Sequence, residues 1–489
     1  MQNAARCFQS ILFSLLLILC QAICFDASAA QKPNVLFIAA DDLRCDLACY
    51  GHPLVKTPHL DQLAARGVLF QQAYCQQALC NPSRASLMTG RRPDSLKVWD
   101  LPTHFREVEP EVVTLPQLFQ QQGYFTQNIG KIFHNWRQNI QGDPASWSVP
   151  AVMHYATHGS DKPVLNNNTE LPVNFAKMSR NECRDVPDSA YFDGRIADKA
   201  VKALQELKQK QEPFFLAVGF WKPHLPFNPP KKYWDLYKDS PITVADNPEP
   251  PKNVPAVALH NGRELLRSVK RKLTKEEIIE LRTGYLAGIS YLDAQIGKII
   301  AALDRLGLRD NTIIVFWSDH GFHLGEHGLW CKTSNFENDA RVPLMISTPH
   351  MKQAGQSSAA LVELIDMYPT LVALCDLPTP KKLDGKSLVP ILDDPTQTVK
   401  PAAYTQHPRP AYYKDNPEFM GVSVRTPRYR YTEWRNFKTG QVEARELYDH
   451  EVDPDENTNI VDAPSDAAAF QTAVKLLAAQ FPRQKPKQD

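Results

Sequence analysis

Four short apolar runs, Val35 to Ala40, Phe214 to Phe220, Thr312 to Trp317 and Leu344 to Ser347, lack the polar alternation of a half-exposed strand. Runs of this kind read as strands covered on both faces, and so as parallel members of a sheet enclosed by helices. Between the second and third runs, Tyr285, Ile289, Leu292, Ile296, Ile299, Leu303 and Leu306 recur at three- and four-residue spacing and stop at Gly307. That period predicts a long helix packed on the sheet. The alternation predicts an α/β architecture with a large, mostly parallel central sheet flanked by helices. Such sheets carry their chemistry at the carboxyl ends of strands. Two runs end there in carboxylates, Asp41-Asp42 and Asp319-His320.

The 489-residue chain is too long for one compact unit, so one large domain and a smaller one are expected. The Pro-rich stretch from Pro223 to about Pro255 reads as an ordered excursion over the surface, too proline-dense for helix and able to wall a cleft. Beyond about Pro378 the pattern falls to short segments such as Arg428 to Trp434 and Glu446 to Asp449. These predict a smaller C-terminal α+β subdomain with antiparallel strands, over residues 391–489, after a main domain over 31–390.

The N-terminus carries Arg6, the apolar run Ile11 to Leu19 and then Ala27-Ser28-Ala29-Ala30. This is the pattern of a cleavable export signal over residues 1–30, with a mature chain beginning near Gln31 and a periplasmic or secreted destination, bacterial by the style of the signal. The run is short of the ~20 residues that span a bilayer, and no later stretch is expected to qualify. The formal net charge of +1 gives no general attraction for nucleic acid or an anionic membrane, so any anion site must be local. Without the signal the cysteines are Cys45, Cys49, Cys75, Cys80, Cys183, Cys331 and Cys375, an odd set that leaves room for one with its own chemistry. Cys45-x-x-x-Cys49 lacks the second pair of a zinc site and reads as structural.

The most specific segment is Cys80-Asn81-Pro82-Ser83-Arg84-Ala85-Ser86-Leu87-Met88-Thr89-Gly90-Arg91. Pro82 suits the first turn of a helix and Gly90 its end, which puts Cys80 at the positive pole. A second segment, Gly123 to His134, delivers Lys131 and His134 together. Adjacent carboxylates such as Asp41 and Asp42 repel each other unless a cation or proton intervenes, and calcium favours several oxygen ligands.

These segments resemble the sulfatase signatures, Cys-x-Pro-Ser-Arg-x-x-Leu-x-Thr-Gly-Arg and Gly-Tyr-x-Thr-x-x-x-Gly-Lys-x-x-His, at every specified place. Phe214 to Phe227, Gly325 to Phe336, Arg44 and Arg91-Arg92-Pro93-Asp94 look like the iduronate-2-sulfatase branch of that family. The resemblance runs from about Asn34 to about Pro349 and fades between Asn139 and Tyr191. It implies an alkaline-phosphatase-like sandwich and a sulfuric ester hydrolase whose nucleophile is formylglycine, made from Cys80 by a maturing enzyme. It also implies a calcium ion held by Asp41, Asp42, Asp319, His320 and the modified Cys80. Hydrated formylglycine would attack sulfur, with Arg84, Lys131 and Lys332 on the anionic oxygens. His224 would protonate the leaving alcohol, a task Lys332 could share, and His134 would help the remaining hydroxyl expel sulfate. The implied substrate is a sulfated saccharide, led by 2-O-sulfated uronates of a glycosaminoglycan. The alternatives are a formylglycine-dependent phosphodiesterase or phosphonate hydrolase of the same superfamily, and a catalytically silent glycan-binding protein.

Overall fold

The computed structural model describes residues 32–135, 137–154, 180–210, 212–266, 271–413 and 415–482; the export signal read over residues 1–30 lies outside them. The strands before the C-terminal region are β1 (Asn34–Asp41), β2 (Val68–Tyr74), β3 (Phe125–Gly130), β4 (Phe214–Pro223), β5 (Thr312–Ser318), β6 (His323–Leu324), β7 (Trp330–Cys331), β8 (Arg341–Ser347) and β9 (Ser357–Glu363). β6 and β7 pair with each other, and the rest form a seven-stranded sheet in the order β3-β4-β1-β5-β8-β2-β9.

The sheet is parallel except at β8, which runs antiparallel to both β5 and β2. This corrects the reading of Leu344 to Ser347 as a parallel strand. A parallel neighbour needs a crossover, usually helical, whereas residues 319–340 return beside β5 through the β6–β7 hairpin and one helical turn at Glu337–Ala340. A run buried on both faces carries no signal of its direction.

Burial on both faces has a simple cause. Along β1, Leu36, Ile38 and Ala40 face one apolar layer, with Ile196, Ala200, Ile289 and Ile296 from two helices. Val35, Phe37 and Ala39 face the other, with Leu87, Met88, Met367 and Leu371. Each large side chain so buried contributes roughly 1.5–3 kcal/mol relative to exposure. The first layer is built on helices Phe192–Lys210 and Lys275–Arg305. The latter opens with the Thr274–Glu277 capping box and ends before Gly307, whose φ is +63°. By length and composition it could cross a membrane, contrary to the expectation that no later stretch qualifies. It is nevertheless 78% buried over its most apolar 18 residues, as a core helix is.

The C-terminal sheet is wholly antiparallel, in the order β10 (Ala403–Arg409), β11 (Phe419–Arg425), β12 (Tyr429–Asn436) and β13 (Val442–Asp449). Tyr429 stands opposite Asp449 in register, and helix Ala467–Gln480 covers one face through Ala473 and Leu477. The Pro-rich excursion holds two short helical turns, Lys231–Trp234 and Asp235–Tyr237, where none was expected, and buries Tyr233 and Tyr237.

Candidate active site

Strand register brings the two acidic segments together. β1 and β5 pair with Ala40 opposite Ser318, so Asp41 and Asp319 leave the sheet side by side. Asp42 follows in the left-handed region at φ +63°, unusual for a residue with a Cβ. Its N–H donates to Asp319 Oδ1 at 3.2 Å, and its carbonyl accepts from the Tyr285 hydroxyl at 2.7 Å. The next two strands deliver Lys131, just past β3, and His224, just past β4. The chains are close enough there that a Cβ on Gly219 would fall 1.9 Å from the Lys131 carbonyl oxygen, so only glycine fits.

Cys80 is the first residue of helix Cys80–Thr89, whose ten residues are all buried and which closes on Gly90 at φ +66°. Arg84, one turn along, lies on the same side. Its Nε donates to Asp319 Oδ2 at 2.8 Å, and its Nη2 to Asp41 Oδ1 at 3.2 Å. Lys131 Nζ meets Asp41 Oδ2 at 2.5 Å and Cys80 Sγ at 3.7 Å. The Cys80 sulfur also lies 3.5 Å from Asp41 Oδ1 and 3.3 Å from His320 Nε2. Burial and the Asp41 charge push the thiol well above its ordinary pKa, so at neutral pH it is not a thiolate and is a poor nucleophile as it stands.

Lys332 Nζ donates to both oxygens of Asp42, at 3.1 and 2.9 Å, and lies 2.5 Å from Glu264 Oε2. Sequence reasoning did not find Glu264. It comes from a four-residue helix, Arg263–Leu266, in a stretch with no period or motif. Its Oε1 is 2.9 Å from His224 Nε2, while His224 Nδ1 is 2.6 Å from the Leu225 carbonyl. An acceptor at each nitrogen favours the imidazolium. Burial alone would lower the His224 pKa, but Asp42 and Glu264 outweigh it and raise the value. Among the described residues the buried His134 has no hydrogen-bond partner on either nitrogen, and burial beside Lys131 depresses its pKa well below the usual range.

The site has the donors for a metal ion: Asp41, Cys80, Asp319 and His320 place one ligand atom each within 4.8 Å of the others, and Asp41, Asp42 and His224 do the same, although Glu264 already meets His224 Nε2. The carboxylates are oxygen donors of the kind a hard cation takes, and the Cys80 sulfur and His320 nitrogen are softer. His320 Nδ1 is 2.9 Å from the Gly321 carbonyl, which orients the ring so that Nε2 points inward, 3.4 Å from Asp42 Oδ1 and 3.7 Å from Asp319 Oδ2. Asp41, Asp42, Asp319 and Glu264 bring four carboxylates against the permanent charges of Arg84, Lys131 and Lys332. Burial leads the rise in the Asp42 pKa, with Asp41 adding to it. A second His/Glu cluster, Glu337, His450 and Glu456, is occupied by Arg430, which bonds both carboxylates.

An α/β sandwich with a carboxylate-lined site at the strand ends and a cysteine at the head of a buried helix defines an alkaline-phosphatase-like hydrolase. The sulfatase family profile matches residues 33–377, and one described as N-sulphoglucosamine sulphohydrolase, C-terminal, matches residues 325–482. The chain belongs to the sulfatase family and is a sulfuric ester hydrolase. It is 36% identical to mouse iduronate 2-sulfatase, over 88% of this chain and 91% of that protein. It is 35% identical to the human iduronate 2-sulfatase, over 91% and 94% respectively. A sulfatase of Formosa agariphila is 30% identical over 93% of this chain and 87% of its own length. Among solved structures, a protein in complex with its substrate D-glucosamine-2-N,6-O-disulfate superposes with a TM-score of 0.73 at 24% identity, covering 94% of this chain and 100% of that one. The phosphonate monoester hydrolase of Agrobacterium radiobacter gives 0.70 at 24% identity, over 93% and 96%. The fold is therefore common to both ester classes.

Proposed function

We propose that this chain hydrolyses 2-O-sulfate esters on uronic acid residues of a glycosaminoglycan or similar polysaccharide, outside the cytoplasm. Similarity to two iduronate 2-sulfatases over nearly the whole chain supports the substrate class. The observation that carries the mechanism is the position of Cys80 Sγ, 3.3 Å from His320 Nε2 and 3.7 Å from Lys131 Nζ, at the mouth of a buried carboxylate cluster. Asp41, Asp42, Asp319 and His320, with the modified Cys80, would hold calcium, which supplies Lewis-acid polarisation of the ester oxygens. Formylglycine at Cys80, made by a maturing enzyme, supplies a hydroxyl nucleophile where the thiol is unreactive.

The remaining work falls to unmodified side chains. Arg84 and Lys131, fixed by Asp41 and Asp319, hold positive charge next to the nucleophile position. Lys332 holds it on the Asp42 side, facing the ester oxygens. His224 Nε2 carries the proton that goes to the departing alkoxide, and Glu264 keeps it there. His134, neutral and unpartnered, accepts a proton in the turnover that releases sulfate. We assign residues 31–390 to the catalytic domain and 391–489 to the C-terminal subdomain.

The test is the mass of the Cys80 peptide from active protein, followed by rates on sulfate monoesters, phosphodiesters and phosphonates. Preference for a sulfated uronate supports the proposal. Faster cleavage of phosphonate or phosphodiester, or binding of sulfated sugar without turnover of any ester, overturns it.

A further inference from the structure

A cavity of about 490 Å³ opens beside the site, lined by residues 259–264, 331–333 and 409–412. That volume is in the range of small-molecule sites. Lys332, in its wall, also bonds Asp42, and Glu264, in the same wall, meets His224, so the cavity adjoins the catalytic cluster.

Two guanidinium groups line it, and among the described residues neither is ion-paired. Arg409 is buried and gives its donors to backbone carbonyls: Nε to Val257 at 2.8 Å, Nη1 to Thr333 at 2.9 Å and Nη2 to Ala258 at 2.7 Å. Neutral carbonyls satisfy its hydrogen bonds but leave its charge without a counter-ion, which is costly in a buried place. Arg263 is exposed on the rim, its guanidinium 5.6 Å from the Tyr412 ring. The one lining carboxylate, Glu264, is already held by Lys332 and His224. The cavity therefore has surplus positive charge, and the exposed half of it has free donors.

We propose that this cavity receives a second anionic group of the substrate, the carboxylate of the uronic acid, and that Arg263 is the residue that selects it. This rests on the reading of the chain as a uronate sulfatase. Arg263 pairs with the carboxylate directly, since a guanidinium and a carboxylate match in geometry. Arg409, with Nε and Nη1 held by Val257, Thr333 and Pro408 and one Nη2 bond going to Ala258, contributes chiefly its field, which favours an anion over a hydroxymethyl group.

The experiment compares kcat/KM of the full mature chain and of Arg263→Gln on a 2-O-sulfated uronate disaccharide and on the same sugar with its carboxyl reduced to an alcohol. The native enzyme is expected to prefer the acid by about tenfold or more, the range of a charge-assisted hydrogen bond, and Arg263→Gln to remove most of that ratio. Arg263→Lys is expected to restore part of it, because the charge returns without the planar fork. An unchanged ratio in Arg263→Gln overturns the assignment. So does a ratio that collapses only for a disulfated sugar lacking a carboxylate, which would make a second sulfate the bound group. If the enzyme cleaves aryl sulfate but neither uronate, the substrate reading fails on its own. The cavity is then read by inhibition of aryl sulfate hydrolysis. Free uronate inhibiting better than a neutral sugar, and losing that advantage in Arg263→Gln, supports the inference; equal inhibition by both sugars overturns it.

Discussion

Glu264 Oε1 lies 2.9 Å from His224 Nε2, and the two residues are forty positions apart, joined by loops and short helical turns. The pair makes His224 an acid rather than a base, because each ring nitrogen already faces an acceptor.

Replacing Glu264 with Gln removes one of the charges that raise the His224 pKa. A histidine with a raised pKa stays protonated to higher pH, so losing the partner moves deprotonation to lower pH. The alkaline limb of the rate on an alkyl sulfate is expected to shift downward in Glu264→Gln. His224→Ala is expected to lower kcat on alkyl sulfates by ~10²–10⁴ and on aryl sulfates far less, since a phenolate leaves without a proton. Equal losses on both substrates would remove His224 from the acid role.

Arg84 is fully buried between Asp41 and Asp319. Arg84→Met keeps most of the volume but leaves those carboxylates short of a partner, which typically costs about 3–5 kcal/mol. Chemical denaturation of the matured protein measures this directly. A loss below about 1 kcal/mol would mean that Lys131 alone neutralises the cluster.

The acidic half of the site was legible because Asp41 and Asp319 end apolar runs that had to be adjacent buried strands, and register then places them together. Cys80, Arg84 and Lys131 were legible through local signatures whose spacing is a helix turn or a strand end. Glu264 and Arg409 were not: the one sits in a four-residue helix without a signature and the other ends β10 of the C-terminal sheet, so each depends on long-range packing for its place. β3 escaped as a strand because Thr126, Gln127 and Asn128 break its apolar run, although Thr126 and Asn128 are buried. The direction of β8 was hidden for the opposite reason: uniform burial looks the same whichever way the chain runs.

If the carboxylates hold calcium, removing it takes away activity and stability together, because a ligand bound by the native state alone stabilises that state. At a free concentration about 100 times the dissociation constant the effect is ~2.7 kcal/mol. Exhaustive chelation is expected to lower the melting temperature by several degrees, and calcium to restore both quantities. Unchanged melting and full activity after chelation, with no cation found by elemental analysis, would reject the metal site. Restoration by zinc alone would favour a phosphatase-like centre.

The nucleophile gives the most decisive prediction. Burial and the Asp41 charge raise the pKa of the Cys80 thiol, and the proposed mechanism calls for a different group at this position. Formylglycine makes the Cys80 peptide roughly 18 Da lighter, the difference between a thiol and an aldehyde, and mass spectrometry of active protein reads it. Cys80→Ser is expected to abolish turnover, because one hydroxyl can attack but no second one remains to expel sulfate. It is expected still to bind sulfated sugar, since Arg84, Lys131 and Lys332 stay in place on their carboxylates. Calorimetric titration of Cys80→Ser with an uncleaved substrate separates the two effects. Full activity with an unmodified thiol at Cys80 would end the proposed mechanism, which rests on that side chain's place beside Lys131 and His320.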